Sequence, residues 1–432
     1  MHEQALFEKL LPNTDTSGLG GITSVCTYNY YALRAALRKA AAAGTPLIIE
    51  ATCNQVNQFG GYTGMRPADF RDYVLGLAEK EGFPIDTLIL GGDHLGPYPF
   101  RDRDPEDAME EAKRMTREYA AAGFKKLHLD PSMPLAGESA EDEGFSATVA
   151  ERTAVLCAAA EEGSAEAPSG SRQPVYVVGA DVPSPGGSEL ANRGRRVTSG
   201  GELEETVETM RGAFADHGLG DVWNRVIAVV VDPGVEHSGA VVIDYEHEAA
   251  RDLIRSLEKY PDLVLEGHTT DYQFPERLAQ MVSDGIRILK VGPVLTYTTR
   301  MALYALEKIE RETLGKTDGE RLSQLEKTID DEMIENPKHW IRFAEGPSEL
   351  LDRKYSLYDR ARYYLAAPSV KERIEKLLHN VSSEGIWPGV LQAYFPNQFL
   401  KVRAGELRDD PENIIIDRVT EPLEAYWAAI EG

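Results

Sequence analysis

Cysteine is scarce in this chain: Cys26, Cys53 and Cys157 are the three in 432 residues, an odd number at wide spacing with no CxxC pair. That excludes a disulfide framework and a structural zinc knot, and it fits a reducing compartment. Basic charge is also short. Against 71 Asp and Glu stand 46 Lys and Arg, a formal net charge of −25. Such a surface repels a phosphate backbone and offers no basic stripe for counterion release, so neither nucleic acid nor an anionic membrane is an expected partner. Local Lys, Arg, backbone amides or a bound cation can still reverse the field inside one pocket, which keeps a sugar phosphate admissible. No apolar run reaches the roughly 18 residues that suggest a membrane span. The opening Met1-His2-Glu3-Gln4 has neither the basic nor the apolar region of a signal peptide. The expectation is a cytoplasmic protein. A GxxxxGK[ST] phosphate loop is missing, and so are the protein-kinase signatures as a set.

What is present begins with 42% hydrophobic residues, enough for a large core. From Gly21 onward, short β-branched or Leu-rich runs alternate with segments of helical period, the pattern of parallel strands joined by crossover helices. Eight runs are predicted as strands: Gly21 to Cys26, Pro46 to Thr52, Thr87 to His94, Lys125 to Ser132, Val175 to Val182, Arg225 to Asp232, Leu263 to His268 and Ile286 to Gly292. Between them Pro105 to Ala122 reads as an amphipathic helix, with Asp104 as N-cap, an apolar stripe of Ala108, Met109, Ala112, Met115 and Tyr119, and Gly123 as stop. Eight β/α units without a GxGxxG turn after the first strand favour an α/β fold of the (β/α)8 barrel type, a TIM barrel, over a doubly wound sheet. Two stretches break the rhythm. Gly163 to Gln173 reads as a surface insertion, and Pro183 to Gly201 as a loop able to cover the barrel mouth. The barrel is expected over residues 1–315. A helical subdomain packed on it is expected over 316–432, with helices at Leu322 to Met333, Val370 to Leu378 and Glu421 to Ile430.

In such barrels the chemistry lies at the C-terminal strand ends, where alternate residues point inward. Glu50 and Thr52 share one parity, as do His128 and Asp130, Glu266 and His268, and Lys290 and Gly292, while Leu127, Leu129, Leu265, Leu289 and Val291 suit the helix side. Asp93 and His94 in GGDHLGP end the third strand, where the chain leaves regular pleating and both side chains can reach the mouth. Neutral imidazole and carboxylate bind a divalent ion, a Lewis acid for a ketose carbonyl and its neighbouring hydroxyl. His94 and His268 are the expected nitrogen ligands, with Asp181, Glu50 and Asp130 as oxygen candidates. Zinc is the first choice of metal, ahead of Mn, Ni, Co or Mg. Asp93 is the candidate acid/base, assisted by Asp130 or Glu266. Phosphate is assigned to Ser356, Arg360 and Arg362 in KYSLYDRARYY, to Lys290 and to the amides around Gly60-Gly61. The Tyr and Arg of that segment equally suit locking the helical region to the barrel. Gln55, Asn57 and Gln58 in NQVNQFGG are candidates for sugar hydroxyls or for holding their own loop.

At these residues the chain resembles the GatZ/KbaZ family, named as the second subunit of D-tagatose 1,6-bisphosphate aldolase. The likeness is carried by IEATCNQVNQFGGYTGMRPADFR, ILGGDHLGP, KLHLDPSM, ERTAVLC, VIAVVVDPGVE, TDYQ, ILKVGPVLT and KYSLYDRARYY, from the first strand nearly to the C-terminus. The family pattern has Glu where Asp181 stands and Gln where Asp232 stands. The resemblance implies a class II aldolase-like barrel and three alternative activities: a metal-dependent 4-epimerase of fructose 6-phosphate or a related ketose, a helper subunit without activity of its own, and a tagatose 6-phosphate kinase. The missing phosphate loop speaks against the kinase. The partners implied are a phosphorylated ketohexose and a class II aldolase catalytic chain, with room for a homo-oligomer.

Overall fold

Period-2 alternation in the eight runs becomes eight parallel strands in the computed structural model of the chain, which describes residues 20–168, 173–179, 195–315, 321–343 and 349–431. They are β1 Ile22–Cys26, β2 Leu47–Thr52, β3 Leu88–Leu95, β4 Lys126–Leu129, β5 Val175–Val178, β6 Val226–Val231, β7 Val264–Gly267 and β8 Ile286–Val291. Each pairs with its neighbour in sequence, and β8 returns to β1 with Ile22 opposite Ile288, so the sheet closes into a barrel. The outer helices are α1 Tyr30–Ala43, α2 Pro67–Glu81, α3 Pro105–Ala121, α4 Phe145–Glu166, α5 Gly200–Asp216, α6 His247–Leu257, α7 Pro275–Ser283 and α8 Pro293–Leu314. Local signals fix their ends. Asp104 accepts a 3.0 Å hydrogen bond from the Glu106 amide to start α3, and a Ser199/Glu202 capping box starts α5.

The interior is layered by strand period. At the N-terminal side Ile22, Ile48, Ile89, Val175, Val177, Ala228, Val230, Val264 and Ile288 form a dry plug, each Ile and Val side chain contributing roughly 1.5–3 kcal/mol by leaving water. Two residues further along come Glu50, Lys126, Glu266 and Lys290, and then Asp93, His128 and His268, all buried. The outward set, including Leu127, Leu129, Leu265, Leu289 and Val291, packs under the helices. Gly91 belongs to the inward row because a Cβ there would come within 2.7 Å of Glu50.

Beyond α8 the chain is helical: α9 Leu325–Glu335, α10 Glu349–Tyr355, α11 Pro368–Glu384, α12 Pro388–Tyr394, α13 Pro396–Ala404 and α14 Pro411–Glu431. The last of these packs against α1, α7 and α8, so it completes the helical wall outside β1 and β8. The Gly20 amide donates to the Ile430 carbonyl at 2.9 Å, buried Trp427 donates to Thr45 Oγ1 at 2.9 Å, and the Tyr426 hydroxyl donates to the Thr270 carbonyl at 2.8 Å. No helix among the described residues is long and apolar enough to cross a membrane.

Candidate active site

The mouth of the barrel holds three imidazoles in a triangle. Ring centroids of His94 and His128 lie 4.9 Å apart, His94 and His268 5.0 Å, and His128 and His268 5.3 Å. His128 and His268 arrive by strand parity. His94 does not: it follows inward Asp93 and is brought to the mouth by a left-handed backbone, φ 49°, where the β3/β4 register shifts. A non-glycine residue held there costs on the order of 1 kcal/mol, a strain that concentrates at functional sites.

All three rings meet carboxylates. Asp130 Oδ2 lies 2.7 Å from His94 Nδ1, and Glu266 Oε1 lies 2.9 Å from His268 Nε2. This is how carboxylates orient metal-ligating histidines. His128 Nε2 faces the Gly179 carbonyl at 3.1 Å, while its Nδ1 meets both the His94 amide at 3.2 Å and Asp93 Oδ1 at 3.0 Å. One nitrogen cannot be acceptor to the amide and donor to the carboxylate at once, so only one of these two contacts is a hydrogen bond. Ligand atoms of Asp93, His128, Glu266 and His268 lie within 4.8 Å of one another, and those of His94, His128 and Asp130 do likewise.

Beneath the imidazoles two buried lysines and three carboxylates interlock. Lys126 pairs with Glu50 and, at 2.7 Å, with Glu266. Lys290 pairs with Asp93, with Glu50 at 3.1 Å and with Glu266 at 3.2 Å. Burial opposes ionisation of Asp93, but His94 and Lys290 overcome it and hold the carboxyl well below its usual range. Burial likewise opposes charge on Asp130, and the His94 hydrogen bond brings it down to about 2. Glu266 is lowered by Lys126 and Lys290 against the same desolvation. The His268 imidazole is pushed down to about 3 by burial and Lys290, so it is neutral at physiological pH.

One cavity opens above this floor. It is lined by His94, His268, Lys290, Gln55 and Arg362 among the expected residues, and by Cys26, Tyr28, Tyr62, His237 and Asp271. The half-buried Arg362 guanidinium donates to the Tyr358 carbonyl and, at 3.0 Å, to the Tyr363 hydroxyl, with no carboxylate ion pair among the described residues. Its neighbour Arg360 instead lies over the rings of Phe343, at 3.5 Å from the centroid, and Tyr358. Neither Arg360 nor Ser356 lines the cavity. Ser356 sits beside Gly239 and receives the Tyr358 amide on its hydroxyl at 3.3 Å. Asn57 and Gln58 also serve structure. Asn57 Oδ1 accepts from the Phe59 and Gly61 amides, and Gln58 Nε2 donates to Glu111. Asp181 lies outside the described residues, as does most of the stretch expected to cover the mouth.

Sequence reasoning passed over three groups here. Lys126 shares the parity of His128 and Asp130 and was legible by the same rule. His237 sits in a two-stranded turn after β6, pairing Glu236–His237 with Val242–Ile243, where strand parity says nothing. It is fully buried, and neither ring nitrogen has a hydrogen-bond partner; the nearby Thr269 carbonyl does not close one. Asp271 follows β7 in the TDYQ string. A divalent ion fits the donor atoms that converge here, those of Asp93, His128, Glu266 and His268 and those of His94, His128 and Asp130, while His237 lines the same cavity with both nitrogens unpartnered.

A family model described as D-tagatose-1,6-bisphosphate aldolase subunit GatZ/KbaZ-like matches residues 7–431. A crystal structure of a probable tagatose 6 phosphate kinase from Sinorhizobium meliloti 1021 is 37% identical, covers 95% of this chain and 100% of that one, and superposes with a TM-score of 0.85. The YdjI aldolase from Escherichia coli K12 is 14% identical over 89% of this chain and 95% of that one, with a TM-score of 0.42. The match over nearly the whole length makes this chain a member of the GatZ/KbaZ-like family of D-tagatose-1,6-bisphosphate aldolase subunits.

Proposed function

We propose that the protein is a divalent-metal-dependent 4-epimerase of a ketohexose phosphate, of the fructose 6-phosphate/tagatose 6-phosphate type. The observation that carries this reading is the set of groups at one mouth: carboxylate-backed His94 and His268, His237 and Lys290 line the cavity, and ionised Asp93 lies beneath them, paired with Lys290. His94 and His268 would hold the ion, with His237 facing the same cavity, and the ion would supply Lewis-acid stabilisation of negative charge on the ketose oxygens. Inversion at C4 cannot proceed by simple deprotonation, because C4 is not adjacent to the C2 carbonyl. Breaking the C3–C4 bond makes it accessible. Asp93 takes the C4 hydroxyl proton, the C3–C4 electron pair passes into a C2–C3 enediolate, and C4 becomes an aldehyde. After the aldehyde turns its other face, the bond re-forms and Asp93 returns the proton. Asp130 and Glu266, both held ionised, orient the imidazoles. Lys290 is protonated between three carboxylates and steadies Asp93. Arg362 would receive the phosphate.

The helper-subunit reading is supported by the family description, and both can hold if the chain also binds a class II aldolase catalytic subunit. The kinase activity named for the Sinorhizobium meliloti protein would need an ATP cradle, and no GxxxxGK[ST] loop is in this sequence. Incubating the purified protein with fructose 6-phosphate and Zn, Mn, Ni, Co or Mg, then resolving the hexulose phosphates, tests the reading. A new ketose phosphate supports it. No conversion with any ion, together with strong activation of a separate class II aldolase chain, would establish the helper role instead.

A further inference from the structure

In (β/α)8 barrels the loops after the seventh and eighth strands, with a nearby helix N-terminus, commonly form a phosphate site, because backbone amides there are unpaired. In this chain those amides are taken. Helix α8 begins at Pro293, which has no N–H. The two nearest donors, the Gly292 and Val294 amides, both point at Asp271 Oδ1, at 3.2 and 2.8 Å. Asp271 is 2% exposed and lines the cavity. Its loop is held in an uncommon shape to put it there: Thr269 and Tyr272, on either side, both have left-handed backbones, φ 52° and 64°. Thr270 is locked from behind, its hydroxyl donating to the Lys290 carbonyl at 2.6 Å. A carboxylate thus occupies the anion position at the start of α8, spends its donors and adds like charge.

Of the other cations on the cavity wall, Lys290 is engaged by three carboxylates, which leaves Arg362, within electrostatic reach of Asp271, as the guanidinium facing the cavity among the described residues. We infer that Asp271 is a specificity-determining residue that closes the β7/β8 phosphate position, so that the site takes a ketose with a single anionic end and refuses ketose 1,6-bisphosphates. The inference rests on the ketose-phosphate reading above and narrows its substrate class. It also separates this chain's own substrate from the bisphosphate in its family's description.

The test is calorimetric titration of metal-loaded wild type, Asp271→Asn and Asp271→Ser with fructose 6-phosphate and with fructose 1,6-bisphosphate. Asp271→Asn keeps an oxygen for the two amides and removes the charge, so it guards against a failure of the serine variant to fold. Wild type is expected to prefer the monophosphate by tenfold or more, Asp271→Ser to shift the ratio toward the bisphosphate by at least tenfold, and Asp271→Asn, which still occupies the two amides, to shift it in the same direction by less. Equal binding of the two ligands by wild type, or an unchanged ratio in the folded Asn variant, would overturn the inference. Because binding is read without turnover, the expected ratios in a protein that never epimerises would sink the epimerase reading and leave this one standing. Epimerisation with an unaltered ratio would do the reverse. Binding of neither ligand would overturn both.

Discussion

Asp130 Oδ2 lies 2.7 Å from His94 Nδ1, and Ser132 donates to the other carboxylate oxygen, so the ring of His94 is fixed from below while its Nε2 lies 3.7 Å from Asp93. If this pair prepares His94 for a metal ion, Asp130→Asn should weaken divalent-metal affinity about 10–100-fold without unfolding the protein, the range expected for loss of such a partner. His94→Ala and His268→Ala should release the ion altogether. Stoichiometric metal retained by both alanine variants, measured by elemental analysis after dialysis, would remove these histidines from the ligand set.

The two arginines of the Arg360–Tyr364 turn should behave differently. Arg362→Ala is expected to raise KM for a phosphorylated ketose at least tenfold more than for its unphosphorylated analogue, a difference of about 1.4 kcal/mol in transition-state binding. Arg360→Ala removes a guanidinium packed on Phe343 and Tyr358 and should lower thermal stability while affecting both substrates equally. Steady-state kinetics with each substrate pair, alongside melting curves, distinguishes them. Equal loss on both substrates for Arg362→Ala would make it a packing residue too.

Much of this was legible in the sequence because strand period is a strong signal. All eight runs became strands, with ends shifted by a few residues at most within the described chain, and the parity rule put Glu50, Glu266, His268 and Lys290 inside. It failed where the chain leaves regular structure. His237 and Asp271 lie in loops, where spacing carries no direction. Arg360 and Arg362 are two apart on a 3-10 turn and so face different ways. The last helix was expected at Glu421 to Ile430. It runs from Pro411 with Pro422 inside, since burial of Ile414, Ile415, Ile416 and Val419 at ~1.5–3 kcal/mol each outweighs the ~3 kcal/mol cost of an interior proline.

The His237 imidazole gives a pH prediction. Burial, with Arg362 and Arg360 nearby, pushes it down to about 3 in the folded protein. In the unfolded chain it titrates near the ordinary value of roughly 6.5. Between these values the unfolded state binds the extra proton, so this contribution to stability is fully present above pH ~6.5 and is lost as pH falls, at up to about 1.4 kcal/mol per pH unit. Urea unfolding of the metal-free protein at pH 7, 6 and 5 should show wild type losing stability faster than His237→Phe by up to that amount. Parallel pH profiles would mean that the folded ring titrates as it does in the unfolded chain.

The central claim is that the chain alone inverts C4 through C3–C4 cleavage with Asp93 as the proton carrier. The most direct test is conversion of fructose 6-phosphate in deuterium oxide by the isolated, metal-loaded protein, without ATP or a redox cofactor, with the product examined by NMR. The account predicts tagatose 6-phosphate, or a close C4 epimer, carrying no deuterium at C4, because that hydrogen travels with the aldehyde. It also predicts loss of most of the activity in a folded, metal-binding Asp93→Asn variant. Deuterium at C4, or full activity in Asp93→Asn, would contradict it.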